Sequence, residues 1–322
     1  MLAREGRFDY LMIESTGISE PLPVAETFIY EGDDGRSLSN VAQLDTMVTV
    51  VDGFNFLEDF QSVDELRYRR IGMSAEDNRD VAQLLVNQIE FANVVIVNKT
   101  DLLSEDQLNT LRGMLSSLNP HARLMETTFS QVDLSEILNT GLFTEEWAET
   151  QTNWLDNPGD ARETDVEKYG FESFAYRVHR PFHPARFYDF FCNDGFADVV
   201  RSKGHVWLAT RMELAGIWQQ AGLVGNLQCG GVWWSAVPEE EWPDDPQFQS
   251  DMQRISADPY GDRRQELVVI GHHLKEGEFR ERLDKWLLTD TEVLAGSDVW
   301  ATYEDPIPDW QNFSLHHDHD YG

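Results

Sequence analysis

Short apolar runs alternate with amphipathic stretches in the first part of the chain. Tyr10-Leu11-Met12-Ile13 ends at Glu14, Met47-Val48-Thr49-Val50-Val51 ends at Asp52, and Val94-Val95-Ile96-Val97 ends at Asn98. Such runs are the pattern of strands buried on both faces, as in a parallel sheet. Arg123 to Thr128 predicts a weaker fourth strand. Between the runs, Ala82, Leu85, Ile89 and Ala92 recur at helical spacing, as do Leu108, Leu111, Leu115 and Leu118. The latter helix opens with Ser104 and has Gln107 three residues on, a capping-box pattern, and it stops near Asn119-Pro120. Strand and helix in alternation predict an α/β domain over residues 1–144, with right-handed crossovers.

The pattern changes after that point. Residues 145–168 are polar around Asn157-Pro158-Gly159-Asp160 and read as a linker. Residues 169–294 predict a smaller α+β domain. Phe171 to Arg180 alternates like a half-buried strand, and Pro184 to Phe191 reads as an aromatic-rich helix. Val199 to Ala209, Leu227 to Val237 and Glu266 to Ile270 read as strands. Glu276 to Leu288 reads as a helix with Phe279, Leu283, Trp286 and Leu287 on one side. Residues 239–262 are acidic and contain proline, which predicts a long surface loop, and residues 295–322 read as an acidic, His-containing tail.

Charge narrows the partners. With 58 acidic against 25 basic residues the formal charge is −33, a surface that repels nucleic acid and anionic membranes. No apolar run reaches the roughly 18 residues that a spanning helix needs. Met1 to Arg7 has no apolar signal core, so the expected location is the cytoplasm. Cys192 and Cys229 make neither a disulfide framework nor a CxxC pair. Ten Trp and eighteen Phe supply a globular core, and Trp207, Trp218, Trp233, Trp234 and Trp286 are expected in it rather than on a partner surface.

Two motifs carry chemistry. Asn98-Lys99-Thr100-Asp101 follows a buried strand directly. The Asp101 carboxylate can accept from both the ring N–H and the exocyclic amine of guanine, a donor pair that adenine lacks. The stem of Lys99 can lie along the base, and Asn98 can tie neighbouring loops together. Asp52, at the end of the preceding strand, is a weaker candidate for the same edge. Glu14-Ser15-Thr16-Gly17-Ile18-Ser19-Glu20-Pro21 follows another apolar run. An acid at a strand end suits the water shell of Mg²⁺, and Gly17 lets backbone N–H groups approach a phosphate oxygen. The competing reading of that segment is a plain turn that opens a helix. Among the histidines, His316, His317 and His319 form a tract with Asp318 and Asp320 that suits zinc, copper or nickel. His272 and His273 are neighbours in an extended segment, so their rings are expected on opposite faces.

Together the two motifs resemble the CobW/HypB/UreG group of P-loop GTPases. Gln88-Ile89-Glu90-Phe91-Ala92, Lys203-Gly204-His205-Val206-Trp207-Leu208-Ala209, Gly231-Val232-Trp233-Trp234 and Gly261-Asp262-Arg263-Arg264-Gln265-Glu266-Leu267 are similar to the CobW branch, in its order. The resemblance implies an incomplete P-loop parallel sheet followed by a CobW-type α+β domain. It implies a GTP-binding metal chaperone, with zinc as the expected cargo and a metalloprotein as client. Asn98, Lys99 and Asp101 would read guanine, Glu14 would be the catalytic residue that stands near Mg²⁺, and Ser15, Thr16 and Gly17 would sense phosphate. Alternatives are a cobalamin-synthesis or nitrile hydratase activator type relative, or a non-enzymatic metal- or protein-binding fragment. A homo-oligomer is left open. The family's G-x-x-x-x-G-K-[ST] loop and Cys-x-Cys-Cys site do not occur in this sequence. The expectation is therefore an N-terminally truncated chain with weak or absent GTP hydrolysis.

Overall fold

The computed structural model describes residues 9–17, 19–29, 38–61, 80–144, 146–148, 169–193 and 198–310. The chain divides into two compact units, Met1–Ser173 with Ala221–Val224, and Phe174–Gln220 with Gly225–Gly322.

The first unit holds a three-stranded parallel sheet in the order β1 (Val48–Asp52), β2 (Val94–Asn98), β3 (Arg123–Glu126). The register pairs Val48 with Val94 and Asp52 with Asn98, then Val94 with Arg123 and Val97 with Glu126. All three strands thus finish at one edge. Around them run α1 (Pro21–Ile29), α2 (Phe56–Phe60), α3 (Val81–Glu90) and α4 (Glu105–Leu118). Val94 to Val97 are buried, as expected of a central strand. α4 buries the expected Leu108, Leu111, Leu115 and Leu118, and the Ser104/Gln107 capping box forms. Past its end, the Asn119 side chain donates to the carbonyls of Ile89, Glu90 and Ala92. One buried amide therefore satisfies the orphan carbonyls at the end of α3.

The run Tyr10–Ile13 differs from its expected role. It forms no strand, and Leu11, Met12 and Ile13 are exposed at 65%, 66% and 55%. The apolar run needs a ladder partner to become a sheet strand, and among the described residues none pairs with it. Tyr10 anchors it, its hydroxyl donating to Asp45 Oδ2 at 2.7 Å.

The second unit is built on a five-stranded sheet in the order β4 (Phe171–Val178), β8 (Gln265–His272), β5 (Val199–Val206), β6 (Leu214–Ala221), β7 (Val224–Val232). β5 and β8 pair antiparallel. Its helices are α5 (Pro184–Asn193), α6 (Pro246–Ile255), α7 (Glu276–Asp284), α8 (Asp290–Ala295) and α9 (Ser297–Trp300). Phe174, Tyr176, Phe182, Phe187, Trp218, Leu267, Phe279 and Trp286 make one core; Trp207, Trp233, Leu288 and Trp300 make a second. Trp234 departs from expectation, since it is 36% exposed and packs edge-on to Phe248.

Three further segments differ from the sequence reading. Leu214–Ala221 is a strand whose Gly and Gln residues hid the alternation. Within 239–262, α6 replaces open loop: Asp245 caps it by accepting from Gln247 and Phe248 N–H, with Pro246 in the first turn. The start of the expected tail is ordered, with Trp300 wholly buried and Ile307 at 7% exposure. Arg211 fastens it through Asp305 Oδ2 and the carbonyls of Ile307 and Pro308.

α8 opens on a capping box between Thr289 and Glu292, and Arg186 grips both Glu292 oxygens. The Arg186 hydrogen bond holds the Glu292 pKa down at about 2. A depressed carboxylate pKa contributes stability that is present above its ordinary value and lost as pH falls through the folded value. An acid titration of Glu292→Gln is expected to show a shallower loss of stability between about pH 4.5 and 2 than the parent. Superimposable acid limbs would refute that assignment.

Candidate guanine-reading site

The carboxyl edge of a parallel sheet is where open α/β domains bind ligands, because strand ends and the following loops converge there. Here the loops after β1, β2 and β3 are joined by hydrogen bonds. Asn98 and Asp52 lie side by side in register, and Gly53 N–H donates to the Asn98 carbonyl at 3.0 Å. A Cβ at Gly53 would stand 2.9 Å from that oxygen, so the turn demands glycine. Asp52 organises its own turn, with Oδ1 accepting from Phe54 and Asn55 N–H and Oδ2 from Asn55 Nδ2.

Lys99 leaves β2 in the left-handed region, φ 62°, and its Nζ reaches Asp52 Oδ2 at 2.7 Å. Partial burial of Asp52 raises its pKa, but Lys99 and the Asn55 donors outweigh it and hold the carboxyl below the ordinary range. The two side chains are 46% and 36% exposed, so the pair orients Lys99 more than it stabilises the fold. Asp52, the weaker candidate in the sequence, thus sits against the Asn98–Asp101 motif.

Asn98 does tie loops together: its Oδ1 accepts from Ser130 N–H at 2.9 Å, across 32 residues. Thr100 reinforces the junction, its N–H and hydroxyl both donating to the Thr127 carbonyl. Thr127 in turn donates its N–H to the Val97 carbonyl and its hydroxyl to that of Gln131. Asp101 stands in the short 3₁₀ turn Thr100–Leu102 with its side chain exposed, and among the described residues no hydrogen bond occupies its carboxylate. Its two oxygens are therefore free to accept a pair of donors, which is what a guanine edge offers.

Glu14, Ser15, Thr16 and Gly17 are exposed and lie before α1. A turn closes at Ser19 N–H to Thr16 O, and Gln88 Nε2 on α3 donates to the carbonyls of Gly17 and Ser19 at 2.9 and 3.0 Å. α3 is itself pinned to β1 by Thr49 Oγ1, which donates to Gln88 O. Among the described residues, a Cβ at Gly17 would meet nothing within 4 Å.

His316, His317 and His319 lie outside the described residues, and among the described residues no group of three His, Cys, Asp or Glu side chains is placed to hold a metal ion. His272 and His273 do not diverge: their rings lie 4.1 Å apart. β8 ends at His272 and His273 turns left-handed at φ 54°, which breaks the strand alternation.

Residues 1–126 match the family model "CobW/HypB/UreG, nucleotide-binding domain", and residues 171–287 match "Cobalamin synthesis protein cobW C-terminal domain". The chain belongs to the CobW family. It is 42% identical over 310 residues to "Zinc-regulated GTPase metalloprotein activator 1" of Dictyostelium discoideum, covering 95% of this chain and 65% of that protein. It is 27% identical over 290 residues to "Zinc chaperone Rv0106" of Mycobacterium tuberculosis, covering 88% of this chain and 66% of that one. The Zn(II)-bound YjiA GTPase of E. coli superposes at TM-score 0.33 and 18% identity over 88% of this chain and 73% of its own, too loosely to add to the argument. The chain thus spans just under two thirds of the Dictyostelium relative. Among the described residues no helix is long and apolar enough to cross a membrane.

Proposed function

We propose that this CobW-family chain carries the guanine-reading part of a GTP-dependent zinc chaperone that serves a metalloprotein client. The observation that supports this most is the exposed Asp101 carboxylate, free of hydrogen bonds among the described residues, beside a Lys99 held by Asp52. Asp101 accepts the guanine N–H pair, the Lys99 stem lies along the base, and Asn98 keeps the β3 loop in place. The names of the relatives, a zinc-regulated GTPase activator and a zinc chaperone, support the nucleotide and the cargo.

Glu14 is an exposed carboxylate before a turn anchored by Gln88, which suits the water shell of a Mg²⁺ ion; such an ion would neutralise phosphate charge. Ser15, Thr16 and Gly17 are exposed in a turn held by Gln88, and they suit a phosphate-sensing role. GTP would order residues 14–20, and their relaxation would release zinc or client. The sequence contains no G-x-x-x-x-G-K-[ST] loop, so the lysine that would grip the β- and γ-phosphates does not come from these residues, and phosphate is met here only at the turn after Glu14. The phosphate deficit predicts only millimolar affinity from this chain.

Calorimetric titration with GDP, GTP and ATP tests the reading. Guanine nucleotides are expected to bind in preference to ATP. Asp101→Asn is expected to weaken GDP by about 10- to 100-fold, the worth of charge-assisted hydrogen bonds, and to favour xanthine, whose C2 carbonyl can accept from the new amide. Equal binding of ATP and GTP would sink the proposal.

A further inference from the structure

We propose that Phe129 is the stacking platform for the purine base at this site, an inference that rests on the guanine reading above. Phe129 is 84% exposed, and neither burial nor backbone preference accounts for it. Both Phe129 and Ser130 sit in the left-handed region, at φ 56° and 53°. That conformation is strained for a bulky residue and free for glycine. Stability alone would favour a small residue there, since an exposed ring recovers little of the strain.

The loop that carries Phe129 is fastened to the guanine motif. Ser130 N–H is held by Asn98 Oδ1, and the Thr127 carbonyl takes two donors from Thr100, the residue before Asp101. The ring is thus one residue from the Asn98 contact, on a loop that starts at the carboxyl end of β3. Strained conformations that the surroundings over-determine cluster where ligands are clamped. An aromatic face stacks on any base, so Phe129 supplies affinity while Asp101 supplies the choice of guanine.

The test uses the full chain, titrated with guanosine and with GDP by saturation-transfer NMR, alongside thermal denaturation. Guanosine probes the base site without phosphates. Phe129→Gly is expected to raise the melting temperature by relieving the left-handed strain, and at the same time to lose about tenfold in guanosine affinity. Phe129→Tyr keeps the π face and is expected to stay within about twofold, whereas Phe129→Leu is expected to follow the glycine variant. If Phe129→Gly and Phe129→Leu bind as tightly as the parent while Asp101→Asn is weakened, the platform is wrong and the guanine reading stands. If the parent shows no guanosine binding, or Asp101→Asn binds unchanged, both fall.

Discussion

Trp300→Ala is expected to destabilise the second unit by about 3–5 kcal/mol, the cost of deleting a large buried aromatic. Trp300 is fully buried, stacks edge-on to Trp207 at 6.3 Å and packs on Tyr260 at 5.7 Å. Its Nε1 donates to the Glu292 carbonyl at 2.6 Å, so truncation also strips a partner from the α8 backbone. For a unit of this size each kcal/mol moves the midpoint by about 2–4 °C, which puts the fall near 10 °C. Near-UV circular dichroism during melting would follow it. A residue in a loose tail would change stability by less than about 0.5 kcal/mol, and a shift that small would refute the packed role.

Glu266→Ala is the second large effect. Glu266 is 6% exposed on β8, accepts from Arg177 Nε at 2.7 Å and from Arg264 Nε at 2.7 Å, and lies opposite His205 in the β5–β8 ladder. Burial raises its pKa, but the two guanidiniums outweigh burial and hold it below the ordinary range. Arg264 is itself only 12% exposed. Removing one partner of a buried pair leaves an uncompensated charge, at a cost of about 3–5 kcal/mol. Chemical denaturation should show the full loss for Glu266→Ala and no measurable change for Lys275→Ala, whose pair with Glu278 is exposed on both sides at 74% and 69%. Equal effects from the two would contradict the assignment.

How much could be read without coordinates differs from element to element. β2 and α4 were legible because their signals are local: an unbroken apolar run, a leucine stripe, and a Ser104/Gln107 box whose partners are three residues apart. The Asn98-Lys99-Thr100-Asp101 motif was legible for the same reason, as four adjacent residues at a strand end. The support behind it was not. The Lys99–Asp52 pair spans 47 residues and the Asn98–Ser130 bond spans 32, and no local pattern encodes either. Phe129 gave no signal in the sequence beyond a lone aromatic in a polar stretch, because its distinction is a left-handed backbone. β6 gives little signal because Gly216, Gln219 and Gln220 blunt its alternation; the Gln220 side chain is accommodated inside by bonds that include those to Ser202 and the Val199 carbonyl.

By itself, then, the sequence determined the α/β character of the first part, the resemblance to CobW proteins and the place of the Asn98–Asp101 motif at a strand end, since each depends on neighbours along the chain. Tertiary structure alone decided that Tyr10–Ile13 forms no strand, that Trp300 belongs to a core, and that three loops meet at the carboxyl edge around Asn98 and Lys99. The physical reason is common to all three. Strand formation, burial and loop fastening each require a partner group that lies far away in sequence, and apolar periodicity does not say which distant donor, acceptor or ring will be there.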